Sequence, residues 1–523
     1  MSTVEDRKAA WLARSPFSMP QRVDDVPGVQ ETRREPIAPP ELYIRRTALD
    51  ECLSGGSGQP DLVSGFAAKP WSPHEYQERG VEWLATRPAG ALFLPPGMGK
   101  SSISLAAFLL VRKLLGRRAR MLLLAPLTVC LTTWQTEPSK WLQFQGLRVG
   151  LAHGADKALV LNDPYYDIVV MNYDGIAWAA PLLAAGHQFD ILLMDELTRV
   201  KHTTSQRFKK LKPILPSFKF RWGLTGTPAA NGYMDLFGQV FTLDLGARLG
   251  KFITHFRLTY FYQNAWEQYK YHITKEKAAK LTAKLEDLAM YMDPKDWLKL
   301  PPLIDIILPV ELEPAEFKQY VVLENDFILK FSDASVVTAV NAGVLTNKLR
   351  QFTGGAVYLE GGATWTLTSK AKLQRLESLV EELAGEPLMV AYQFNHELER
   401  LLEAFPNAQY IKGGMTEKAL TATVEAWNGG EVPILFVQPQ AAAHGINLQF
   451  GGSAMCWFSL TYNLEEYSQL IARLYRQGQT KTVRNYILTA TKTIDEVLAK
   501  TLAEKGVVQD RVFQALKLYA ASR

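Results

Sequence analysis

Short apolar runs alternate with stretches of helical spacing over most of this chain. In its first half the runs are Ala91–Leu94, Met121–Ala125, Ile168–Asn172, Ile191–Met194 and Trp222–Thr225. In the second they are Leu388–Tyr392, Ala408–Ile411, Ile434–Val437, Met455–Phe458 and Val483–Leu488. Runs this short and this apolar predict strands buried on both faces, and the helical stretches between them predict crossover connections. The expected fold class is therefore α/β: two parallel sheets with helices on both faces. Ahead of the first run, WSPHEYQERGVEWL (Trp71–Leu84) predicts a helix with Ser72 as N-cap, Pro73 at the first position and Glu75 at the third.

The alternation has boundaries. Residues 1–70 mix a short helical pattern with Pro-rich and Gly/Ser-rich pieces and carry no recognisable chemistry, so they read as an extension packed partly on the next domain. Residues 246–300 break the pattern. There RLTYFYQNAWEQYKYH (Arg257–His272) interleaves aromatics with cations, as nucleic-acid surfaces do, yet offers no regular basic face. A helical insertion with its own small core is the expectation. LKLPP (Leu298–Pro302) marks a boundary, and a second helical stretch covers 314–352. The domains expected are an extension over 1–70, a first α/β unit over 71–300 and a second over 301–523.

The chain has 523 residues, 47% hydrophobic and 21% charged, the composition of a globular protein. Its net charge of +5 permits nucleic-acid binding without demanding it. The three cysteines, Cys52, Cys130 and Cys456, form no CxxC pair, which argues against a zinc site or a disulfide framework and fits a reducing compartment. No run reaches the roughly 18 apolar residues of a membrane span. The N-terminus carries Glu5 and Asp6 and lacks the apolar segment of a signal peptide. A cytoplasmic protein without membrane contact is expected.

The chemistry gathers at the ends of the predicted strands. The first run leads into Pro96-Gly97-Met98-Gly99-Lys100-Ser101-Ser102 and then a helical pattern. Strand, glycine loop and helix start make a phosphate cradle, because consecutive backbone N–H groups and the helix dipole face one anion. Lys100 would reach the β/γ-phosphates and the Ser101 hydroxyl would ligate Mg²⁺. Leu94 replaces the first glycine of the longer phosphate-loop spacing, and by itself the loop also fits an ordinary strand–helix turn. A second run ends in Asp195-Glu196; adjacent carboxylates there are costly unless a cation holds them. Asp195 would hold Mg²⁺ through water and Glu196 would polarise the attacking water. Another run ends in Thr225-Gly226-Thr227, whose hydroxyls can couple nucleotide state to a neighbouring domain. Far along the chain, QLIARLYRQGQ places Arg473 and Arg476 on one helix face, and their planar forks suit a γ-phosphate.

Taken in order, Gln77, GMGKS, DELTRVK and LTGTPAAN resemble superfamily 2 helicases, and Lys201 and Asn231 resemble the Swi/Snf-type branch. KLRQFTGGAVY, LMVAYQFNHELERLLEAFP, QAAAHGINLQFGG, YNLEEYSQLIARLYRQGQ and KTIDEVLAKTLAEK resemble the compact members of that branch carried by phages and prophages. The resemblance covers roughly Trp71–Lys517. It departs at DELT for DEAH, Ala472 for Gly and YNL for WNP, and it has MDPKDWLKLPP where eukaryotic remodellers have an arginine-rich stretch, so chromatin-specific behaviour is not carried over. The resemblance implies two RecA-like domains clasping Mg·ATP. Pro96–Ser102, Gly445 and Gln469 would bind the nucleotide, Gln77 would meet the adenine, and Arg473 and Arg476 would reach across from the second domain.

The resemblance further implies a DNA-stimulated ATPase that moves on double-stranded or branched DNA in replication, recombination or repair of a phage or bacterial genome. Such contact goes through phosphates and is not sequence-specific. Arg112-Lys113 with Arg117, Arg118 and Arg120, and Lys209-Lys210 with Lys212, are the candidate basic surfaces. A fork- or branch-remodelling helicase is one alternative, and an ATP-gated DNA clamp without translocation is another. The protein is expected to act as a monomer, with a replication or recombination protein as partner.

Overall fold

The computed structural model describes residues 68–264, 271–332, 339–359, 364–442 and 446–506. Two fully parallel sheets carry the fold. The first contains β1 (Ala89–Phe93), β2 (Met121–Ala125), β3 (Val149–Leu151), β4 (Ile168–Asn172), β5 (Ile191–Asp195), β6 (Phe220–Thr225) and β9 (Ala289–Tyr291) in the order β3-β4-β2-β5-β6-β1-β9. The second contains β10 (Leu303–Val310), β13 (Leu388–Ala391), β14 (Gln409–Ile411), β15 (Ile434–Val437), β16 (Ala454–Trp457) and β17 (Val483–Ala490) in the order β10-β17-β16-β13-β15-β14. Two small antiparallel hairpins accompany them, β7 (Phe261–Tyr262) with β8 (His272–Ile273) and β11 (Ala356–Tyr358) with β12 (Trp365–Leu367). This is the expected α/β class, with two RecA-like lobes. No helix among the described residues is long and apolar enough to cross a membrane.

Alternation along each strand builds a core on both faces of each sheet. Phe93, Leu122, Leu124, Met171 and Met194 pack on one face of the first sheet, while Leu92, Leu123, Val170, Leu193 and Leu224 pack on the other. Met389, Leu435 and Trp457 oppose Val390, Phe436 and Cys456 in the second. Leu123 is fully buried on a central strand. Leu123→Ala is expected to lower the unfolding free energy by about 2–5 kcal/mol, through lost transfer energy and a residual cavity. An urea midpoint equal to wild type would show instead that the site collapses fully.

Several expectations are corrected. The first helix runs Glu75–Ala85 with His74, not Ser72, at its N-cap, because the Gln77 side chain accepts the His74 N–H at 2.9 Å and fixes the start there. The stretch after residue 246 has no separate core: Phe256, Leu281 and Leu285 join the apolar cluster on the first sheet, and β9 extends that sheet beside β1. Of the aromatic-basic stretch, residues 265–270 lie outside the described residues; Arg257 stacks over the Tyr271 ring at 4.8 Å. The first basic cluster is consumed by ion pairs at the starts of β2, β4 and β5, the end of the sheet opposite the strand-terminal loops. Arg118 and Arg148 pair with Asp167 at 2.9 and 3.0 Å, and Arg117 pairs with Asp190. Arg120 donates to the Tyr166 and Asp163 carbonyls. Burial alone raises the Asp167 carboxyl, but hydrogen bonds from Arg148 and Arg118 hold it below the usual range. These ion pairs brace the starts of β4 and β5.

Candidate active site in the cleft between the lobes

Strand register places the first lobe's chemistry. Phe93 of β1 pairs with Thr225 of β6, and Leu224 of β6 pairs with Asp195 of β5. Three strands thus end level, and the loop after Phe93, the Asp195-Glu196 pair and the Thr225–Thr227 turn sit side by side at their carboxyl ends. The loop then turns into the Lys100–Leu115 helix with Gly99 as N-cap. Gly97 and Gly99 adopt φ of +88° and +73°, the left-handed region that other residues adopt only with strain. A Cβ at Gly99 would also strike Gln77 Nε2, and one at Gly97 would press against Arg476 Cβ at 3.3 Å. The first-turn amides of the helix have no intrahelical partner, so its positive end opens at the loop.

Around this point lies a cavity of about 240 Å³ lined from both lobes. Pro96, Gly97, Gly99, Lys100, Ser101, Asp195 and Glu196 come from the first lobe; Asn447, Arg473 and Arg476 come from the second. Lys100 Nζ donates to the Leu94 carbonyl at 2.8 Å and the Pro95 carbonyl at 3.4 Å, tying the loop to its own helix. Burial depresses the Lys100 ammonium, opposed by the nearby Glu196 and Asp195. Asp195 is held on two sides, by Trp134 Nε1–H at 2.9 Å and by the Glu196 N–H at 3.0 Å. Burial raises its carboxyl against those bonds. Glu196 has φ of +55°, and its Oε2 is buried without a hydrogen-bond partner among the described residues. Burial first, then Glu465 and Asp195, push its carboxyl up to about 8.

The second lobe supplies cations from the Leu464–Leu474 helix and the turn that follows it. Arg473 is buried and donates to the Ile446 carbonyl at 3.3 Å; burial and the adjacent Arg476 bring its guanidinium down to about 10. Arg476 bonds Asn447 Oδ1. Three carboxylates (Glu137, Asp195 and Glu196), two lysines (Lys100 and Lys140) and two arginines thus share one cavity, a set suited to a phosphate chain and a hard divalent cation. Among the described residues no cluster of three or more His, Cys, Asp or Glu exists that would complete a metal cage from protein alone. Ser101 and Asp195 fit Mg²⁺ that takes its remaining ligands from phosphate and water.

The other sequence-predicted residues surround the cavity rather than line it. Gln77 is buried at the N-terminus of its own helix and abuts Gly99, bracing the loop. Met98 is buried, its carbonyl accepting from the Tyr76 hydroxyl at 3.3 Å, and Ser102 Oγ donates to the Gly99 carbonyl at 2.9 Å. Thr225 Oγ1 accepts the Thr227 N–H at 3.1 Å, and Thr227 Oγ1 is buried without a partner. Gly226 packs against Pro96, where a Cβ would come within 3.0 Å of the proline ring. Gln469 is buried and donates to Glu465 at 3.4 Å. Gly445 lies outside the described residues.

Sequence reasoning missed Trp134, Thr133, Glu137, Lys140 and Asn447. The first four sit on short helical turns after β2 that belong to no motif, and Trp134 reads as an ordinary core residue. Asn447 lies in QAAAHGINLQFGG, whose small residues after the Ile434–Val437 run are a signal of close backbone approach that could have found it.

The SNF2-related domain family matches residues 76–352, and the helicase conserved C-terminal domain matches residues 371–478. The protein p41 of Acyrthosiphon pisum secondary endosymbiont phage 1 is 31% identical over 470 residues, covering 86% of this chain and 99% of p41. Chromatin remodeling factor mit1 of Schizosaccharomyces pombe is 22% identical, covering 88% of this chain and 34% of that protein. Among solved structures, a Sulfolobus solfataricus SWI2/SNF2 ATPase core in complex with dsDNA is 21% identical with a TM-score of 0.42, covering 88% of this chain and 97% of that one.

Proposed function

We infer the function from one premise: this chain belongs to the SNF2-related family and is a DNA-dependent ATPase of the helicase type. It hydrolyses Mg·ATP in the cleft between its lobes and uses the cycle to move along duplex DNA, with strand separation not required. The observation that carries this reading is the single cavity reached by Lys100, Asp195 and Glu196 from one lobe and by Arg473 and Arg476 from the other. A site divided between two bodies changes when its ligand changes, so hydrolysis is read out as lobe movement.

In this reading Lys100, the loop amides and Ser101 receive the phosphates, and Ser101 directly and Asp195 through water would hold Mg²⁺. The ion screens phosphate charge when bound. Glu196 orients and deprotonates the attacking water, aided by an oxygen that has no hydrogen-bond partner among the described residues. Arg473 and Arg476 stabilise charge on the transferred phosphoryl group. The Thr225–Thr227 turn, packed on Pro96, passes the state of the phosphate loop to the second lobe, whose apolar cluster includes Ala230. DNA is held by its phosphates, so binding is insensitive to sequence and weakened by salt. The 31% identity to a phage protein, over 86% of this chain, supports service to a phage or bacterial genome.

Steady-state hydrolysis should rise strongly with linear duplex or a model fork and fall with added salt, while single strands and RNA stimulate less. Displacement of a third strand from linear duplex then separates a motor from a clamp. Equal, feeble rates with every polymer would reject DNA as the track. Stimulation without displacement would leave an ATP-gated clamp.

A further inference from the structure

Directly after Glu196, the turn Leu197–Val200 carries a contact that the nucleotide chemistry does not use. Thr198 is buried, and its hydroxyl donates to Glu465 Oε1 at 3.0 Å, across the cleft. Glu465 stands in the first turn of the Leu464–Leu474 helix, its own N–H capped by Asn463 Oδ1 at 3.0 Å. Gln469, one turn further, donates to the same carboxylate oxygen at 3.4 Å. Lys201 and Arg199 of the first lobe add favourable charge around Glu465, while Asp235 opposes it.

The same helix end is pinned a second time. Lys505 Nζ donates to the Tyr462 carbonyl at 2.8 Å and to Asn231 Oδ1 at 3.3 Å. Asn231 in turn donates to Asp235, which pairs with Lys201 at 3.1 Å. The segments following β5 and β6 therefore both grip the start of one helix whose far end bears Arg473. A helix is stiff, and about 12 Å separates Glu465 from Arg473 at 1.5 Å per residue. Fixing the first turn fixes where Arg473 enters the cavity that it lines with Glu196.

We propose that Thr198 and Glu465 form a latch between the lobes that sets the Leu464–Leu474 helix, and with it Arg473, against Glu196. Glu465 is thus a positioning residue for hydrolysis. It does not line the cavity that Lys100, Asp195 and Glu196 share. The hydroxyl of Thr198 is what the departure DELT supplies, and a carboxylate on the facing helix is its acceptor. This inference rests on the ATPase reading above and names how its two halves are aligned.

The test is a double-mutant cycle on the full chain, reading ATP hydrolysis with saturating linear duplex. Thr198→Val and Glu465→Ala should each lower kcat about tenfold, the loss expected for one hydrogen bond to a charged group, with KM for ATP within about twofold of wild type. The double variant should lose about tenfold as well, since both changes break one interaction. Glu465→Gln and Thr198→Ser, which keep an acceptor and a donor, should stay within about threefold of wild type. Thermal unfolding should be unchanged in all five. Singles at wild-type kcat, losses that multiply to about a hundredfold, or a Glu465→Gln loss equal to that of Glu465→Ala would each overturn the latch. A wild-type rate indifferent to duplex would instead reject the DNA-dependent reading, and the same cycle read without DNA would still judge the latch.

Discussion

Replacing Glu196 with Gln is expected to leave ATP and DNA bound but to lower duplex-stimulated turnover by about 10³-fold, within the range that general-base catalysis contributes. The substitution preserves shape and removes only the basic oxygen. That oxygen is buried, lacks a hydrogen-bond partner, and sits on a residue whose left-handed backbone turns it away from the strand. Asp195 beside it has both oxygens engaged, by Trp134 and by the Glu196 N–H, and so lacks the freedom to take over. The measurement pairs phosphate release under multiple turnover with equilibrium binding of a fluorescent ATP analogue. Turnover within about threefold of wild type would remove Glu196 from the role of base, whatever happened to binding.

The second large effect is expected at the arginines. Arg473→Ala or Arg476→Ala should cost about 10³-fold or more in kcat, as loss of an arginine finger does elsewhere, with KM for ATP changed far less. Lysine should not rescue either position, because a point charge cannot reproduce the bidentate fork. The two sites differ in surroundings. Arg473 is buried and held by the Ile446 carbonyl, whereas Arg476 is held by Asn447 and packs on Gly97 of the phosphate loop. The double variant should resemble the worse single, since groups acting on one transition state do not contribute additively. A tenfold rise in KM with kcat intact would assign the arginines to ground-state binding instead.

Much of this was legible in residues. Strands buried on both faces announce themselves as short apolar runs, and every run in the first half matches a strand of the first sheet to within two residues at either end. The strand-end chemistry was legible for the same reason: a carboxylate pair or a glycine pair that closes an apolar run is out of place unless the end of the strand is a site. What escaped lacked that contrast. Leu303–Val310 forms the edge of its sheet with half its positions exposed, and Ala289–Tyr291 is three residues inside a stretch of helical spacing. The start of the first helix was misplaced because Ser72-Pro73 satisfies a sequence rule, while the actual cap depends on where Gln77 folds back. Trp134, Asn447 and the Thr198–Glu465 contact are products of packing between segments far apart in the chain, which no local spacing encodes.

The order of strands also governs how the protein emerges from the ribosome. The first sheet owns all its strands once Tyr291 has been made, because its last member, β9, closes on β1. The second begins with β10, yet β10 has one neighbour, β17, joined to it along Leu303↔Val483 through Val310↔Ala490. Until β17 is synthesised, β10 has no partner on either side, and a strand in that state invites pairing with other chains. Synthesis is therefore most vulnerable to aggregation during the interval between residues 310 and 483, and a ribosome stalled there would release a finished first lobe tethered to an unfinished second.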